Sequence, residues 1–113
     1  MTNLKIIIRF NCKWLVWADA MTLDRMIYVR GDSMSRVLFK HEFRHVKRIN
    51  EVGVLNWYVY YFANYLFNLI KYRNHEKAYR AVFEEKDAYD RENDPFTQEE
   101  EDLFQAHVVN RLP

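Results

Sequence analysis

His41 and His45 stand four residues apart, with Glu42 directly after the first, in the run FKHEFRHVKRI over residues 39–49. On an α-helix, positions i and i+4 lie on one face, a turn apart, so both imidazoles can offer a nitrogen to one metal ion. Glu42 lies about 100° round from His41, beside His45 on the helical wheel. It can reach a metal-bound water without ligating the metal. Zinc lowers the pKa of such a water to about 7, and a neighbouring carboxylate takes its proton. The spacing is therefore a mechanical requirement of metal-assisted hydrolysis. His-Glu-x-x-His arises by chance about once in a hundred chains of this composition, so the five residues alone are a moderate signal.

The bland alternative is a pair of inward histidines satisfied by hydrogen bonds. The surrounding helix favours the sharper reading. Leu38, Ile49 and Val52 share the face of the motif, and Phe39, Phe43 and Val46 continue the apolar arc. Lys40, Arg44, Lys47 and Arg48 gather opposite and are expected to face solvent.

Catalytic zinc keeps three protein ligands and one open position, so a third ligand must follow. His75, Glu76, Glu84, Glu85, Asp87, Asp90, Glu92 and His107 are the downstream candidates. If the segment leading into the helix over 82–93 is helical throughout, Ala78, Ala81, Val82, Ala88, Tyr89 and Glu92 fall within about 60° of Glu85. That small, apolar face suits packing against the motif helix and makes Glu85 the best-placed carboxylate. Glu84 is next, on the flank, and Asp87 points away. Glu92 is a weaker ligand candidate, or a carboxylate that orients a histidine.

The elements that must position these groups are legible in outline. The β-branched and aromatic runs 4–10, 13–18 and 25–31 read as strands. Asp32-Ser33 offers N-cap chemistry for a helix from about Met34 to Glu51, and Gly53 is a helix stop. A second helix covers 54–72, and the polar stretch 71–80 reads as loop-like, with room for helical turns. The helix over 82–93 ends at Asn93-Asp94-Pro95. Thr97 with Glu100 forms a capping box for a last helix, 98–110. The chain of 113 residues reads as one α+β domain, with three strands and about four helices.

The net charge of +1 gives no reason to expect nucleic acid as a partner. The single cysteine, Cys12, allows no intrachain disulfide, and the start carries no apolar run of signal length. Both favour a cytoplasmic setting. Residues 52–70 are nearly long enough to span a bilayer. Asn56, Tyr60, Asn64 and Asn68 recur every four residues as a polar stripe, which favours a buried amphipathic helix over a membrane-surface or spanning one.

HEFRH on one helix, followed some forty residues later by EEKDAY on another, resembles a gluzincin. Residues 21–90 are similar to small bacterial metallopeptidases with a strand before the motif helix and a Glu-x-x-Ala element after an aromatic-rich one. The resemblance implies a minimal zincin-like fold, with His41, His45 and Glu85 as zinc ligands and Glu42 as general base. It also implies that residues 26–30 form an edge strand against which a substrate peptide pairs. Two departures stand out: Tyr89 where many relatives have Asp, and no proline before the ligand helix. Among His75 and the tyrosines at 58, 60, 61, 65, 79 and 89, His75 is the preferred transition-state stabiliser. The expected activity is zinc-dependent hydrolysis of a peptide or protein substrate. The alternative is a catalytically idle module of the same fold, with membrane-surface contact through helix 54–70.

Overall fold

The computed structural model describes residues 5–110. Three strands, β1 (Ile7–Arg9), β2 (Ala20–Leu23) and β3 (Met26–Val29), form one mixed sheet in the order β1-β3-β2. β1 runs parallel to β3, and β2 pairs with it antiparallel, Thr22 opposite Ile27. Five α-helices follow: α1 (Arg36–Val52), α2 (Val54–Tyr72), α3 (His75–Arg80), α4 (Phe83–Arg91) and α5 (Gln98–Phe104). A π-helical turn over Gln105–Val109 continues α5. This α+β arrangement is compatible with a small zincin-like fold.

Two strand expectations need correction. Residues 13–18 are not a strand. Asn11 adopts a left-handed φ of 60°, which reverses the chain after β1. The run then exposes Trp14, Val16 and Trp17 and buries only Leu15. The place beside β3 goes to 20–23, because a two-residue turn at Asp24-Arg25 makes that pairing local. As a result β3 is the central strand, and β2 is the edge strand beside the motif helix. Of the first expected strand, Leu4 lies outside the described residues.

α1 is capped by Ser35, whose hydroxyl accepts from the Leu38 N–H, rather than by Asp32-Ser33. Gly53 stops it as expected, with φ 93° and its N–H donating to the Ile49 carbonyl. Phe39, Phe43 and Val46 bury one side of α1 in a core with Ile6, Ile27, Val29, Met34 and Phe104. The basic side does not face open solvent. α4 and α5 pack along it, and Lys40, Arg44 and Arg48 pair with Glu100, Asp87 and Glu84. The helical turns that the polar stretch 71–80 left room for form α3 over residues 75–80, because Asn74 accepts from the Lys77 N–H and nucleates a turn.

α2 keeps its expected ends but not its expected burial. Only Trp57 and Asn68 are buried. Two of its asparagines work inward: the Asn64 side chain accepts from the Phe83 N–H at 2.7 Å, and the Asn68 amide donates to the Ala78 carbonyl. The apolar residues instead line the outer face. Among the described residues, no helix is long and apolar enough to cross a membrane.

Glu100 completes the expected capping box with Thr97 and accepts two hydrogen bonds from Lys40 Nζ, at 2.8 and 2.9 Å. Burial pushes its carboxyl upward, but Lys40 and Thr97 outweigh that and hold it below the usual carboxylate range. A group depressed in this way adds stability above its unfolded value and loses it as pH falls through the folded one. Glu100→Gln is therefore expected to cost about 3 kcal/mol near neutrality, since it leaves the Lys40 ammonium buried and uncompensated. The gap to wild type should close below about pH 4 in urea unfolding. A gap that persists into acid would show that the carboxylate is not its source.

Candidate metal centre

The centre lies where α1, α2, α4 and the edge strand β2 meet. His41, Glu42 and His45 are all buried, and one ligand atom from each lies within 4.8 Å of the others. Glu85, from the first turn of α4, sits between the two imidazoles. Its Oε1 is 3.0 Å from His41 Nε2 and 3.1 Å from His45 Nε2. Its Oε2 accepts a 2.6 Å hydrogen bond from the Tyr61 hydroxyl of α2.

Glu92, at the end of α4, places Oε2 2.9 Å from His41 Nδ1. Both ring nitrogens of His41 thus face carboxylates. Burial pushes that imidazole down, but the bond to Glu85 and the charges around it carry it up to about 9. Tyr89 stands edge-on to the same ring at 4.6 Å. His45 is held against Trp57 at 5.5 Å.

Glu42 is anchored by the edge strand. The Thr22 hydroxyl lies 2.9 Å from its Oε1, and 3.2 Å from its own carbonyl oxygen. Burial raises the Glu42 carboxyl above the usual range, against the opposing pull of His45, His41 and Thr22. Glu85 behaves oppositely. Burial raises it, but bonds to both histidines and Tyr61 drive it well below the usual range. Two buried carboxyls facing the same histidines are thus tuned in opposite directions, as at many sites of acid–base chemistry.

The other sequence candidates are separated from this cluster. Glu84 turns to Arg48 and to the Trp57 indole, which donates at 3.0 Å. Asp87 pairs with Arg44 and Arg91. His75 lines the same cleft of about 690 Å³ but is exposed, with Nδ1 2.7 Å from the Tyr65 hydroxyl. Thr22 escaped the sequence reading, because its strand lay outside the expected ones.

The donor chemistry fits a divalent metal. Two imidazole Nε2 atoms converge on one carboxylate oxygen, a nitrogen and oxygen set that zinc accepts. The buried Nδ1 of His45 has no protein partner, so within the protein that ring is held by its Nε2 side alone. Comparison with protein-family models, curated proteins and solved structures gives no match in any of the three. The case for the centre therefore rests on these side chains.

Titration of metal-free protein with Zn2+ or Co2+ should give about one ion per chain. His41→Ala and His45→Ala should abolish binding, whereas His107→Ala should leave it unchanged. Glu92→Gln should weaken it about 10–100-fold, as loss of a histidine-orienting carboxylate does elsewhere. Wild type that binds no divalent ion would remove the centre altogether.

Proposed function

We propose that the chain is a zinc-dependent peptidase of the gluzincin type. His41, His45 and Glu85 would hold the ion, and Glu42 would act as general base. The observation that carries this reading is the convergence of both Nε2 atoms on Glu85 Oε1, with a second buried carboxylate, Glu42, on the helix that bears both histidines. A zinc ion in such a donor set supplies a Lewis acid that acidifies water to a pKa of about 7 and polarises a carbonyl.

The chain's own residues do the rest. Glu42 accepts a proton at its carboxylate, and its upward-shifted affinity for that proton brings it closer to the operating pH of a general base. Thr22 fixes which oxygen is free to do so. Glu92 holds His41 Nδ1, and Tyr61 holds the far oxygen of Glu85, so both ligands are oriented from behind. Burial against Trp57, Tyr89 and the core keeps bulk water from the charged groups, which strengthens every interaction among them.

The substrate class follows from the edge. β2 pairs with β3 on one side and borders the cleft with Ala20–Leu23. An extended peptide laid along its other side would bind through main-chain hydrogen bonds, with little demand on sequence. Burial raises the phenols of Tyr61 and Tyr79 beside Glu85 far above the ordinary value, so both stay neutral, with the Tyr61 hydrogen already given to Glu85.

Unfolded casein is a suitable first substrate. Glu42→Gln should retain zinc and lose at least about a thousandfold in kcat. Glu85→Ala should lose zinc, and Glu84→Ala should keep it. The opposite result for that pair would reassign the third ligand. Thr22→Val removes a bond that favours ionised Glu42, so kcat should fall about tenfold while the acid limb of kcat/KM moves to higher pH. Full zinc occupancy without turnover of casein or other unfolded proteins would leave the chain a metal-binding module.

A further inference from the structure

The outer face of α2 is the largest unexplained surface feature. Leu55, Val59, Phe62, Leu66, Phe67 and Ile70 are 55–77% exposed, and no charged residue lies between Val54 and Ile70. This arrangement inverts the usual amphipathic helix, since Asn64 and Asn68 point to the protein. At roughly 150–250 Å² per large side chain, these six leave on the order of 700 Å² of apolar surface. That exceeds the patch a monomer ordinarily tolerates and approaches the roughly 800 Å² each partner buries in a stable complex.

We infer that this face is the contact between two copies of the chain, with their α2 helices packed antiparallel about a twofold axis at Ala63. Ala63 is the middle residue of α2 and lies on the exposed face. Its small side chain lets two helices approach to about 8 Å at the crossing. About that axis Val59 meets Phe67 and Tyr60 meets Leu66, so larger and smaller side chains alternate across the seam. Asn56 meets Ile70, and its amide is already bonded to the Val52 carbonyl at 3.0 Å.

The ends match as well. Glu51, on the last turn of α1 and paired there with Arg48 at 3.2 Å, precedes α2, and Lys71 and Arg73 close it, so an antiparallel pair brings acid toward base at both ends. A lipid surface is the less suitable occupant, because a helix lying on a membrane carries cations along the borders of its apolar face. Those on α2 lie at one end. The inference does not rest on the zinc reading: of the six exposed residues, Phe62 alone also borders the cleft that holds His41 and Glu42.

Sedimentation velocity from micromolar to submillimolar concentration should show wild type as a dimer. Val59→Glu and Phe67→Glu should sediment as monomers with unchanged far-ultraviolet circular dichroism and unchanged metal binding. Should either variant misfold, Ala63→Cys provides the second measurement. It should form a disulfide-linked dimer under mild oxidation, whereas Lys86→Cys, exposed on α4, should not. Wild type that stays monomeric at every concentration overturns the inference. So does a dimer that survives both glutamate substitutions, or a monomer that floats with phosphatidylglycerol-containing vesicles.

Discussion

An ionisable side chain taken out of water must find a partner, and α1 buries four of them: Lys40, His41, Glu42 and His45. This requirement organises the helical half of the molecule. α4 lies where it does because one short acidic run answers α1 at three points. Glu85 meets the histidines, while Glu84 and Asp87 meet Arg48 and Arg44. α5 supplies Glu100 for Lys40. The two helices are thus keyed in rotation as well as position. A turn of α4 by one residue would offer Glu84 to the imidazoles and leave Arg48 unmatched. Charge pairing of this kind adds little net stability but selects one packing among several.

The same constraint explains which expectations were legible. The motif, the Gly53 stop, the ends of α2 and the Thr97 capping box depend on residues within one helical turn of each other, and each was readable from the chain. The phase that puts Glu85 and Glu92 toward His41 was readable too, because it needs only 3.6-residue periodicity and a small-residue face. The solvent-facing reading of Lys40, Arg44 and Arg48 failed for the opposite reason. Their partners lie 36 to 60 residues away, and a helix wheel carries no information about them. The strand reading of 13–18 failed because pairing along a sheet is decided by competition. A hairpin closed by two residues wins over an apolar run that Asn11 has already turned aside.

That competition had a consequence for the site. With 20–23 at the edge and 26–30 in the centre, the strand nearest Glu42 is the one that brings Thr22. Tyr58 then joins α2 to the same hairpin, donating to the Thr22 carbonyl and accepting from the Asp24 N–H, each at 3.2 Å. The edge strand, the general-base candidate and the wall of the cleft are therefore coupled through one residue and its neighbours.

α2 is where stability and chemistry meet. Its inner face holds Tyr61 on Glu85, Trp57 against His45, Tyr58 on the hairpin and Asn64 at the start of α4. Few apolar contacts hold the helix to the body, since Trp57 is its one buried apolar residue. A helix attached mainly by hydrogen bonds opens at lower free energy than one seated in a core. Covering its outer face would therefore do more than hide apolar surface. By fixing the helix from behind, a second copy would hold Tyr61 and Trp57 in register with α1 and α4.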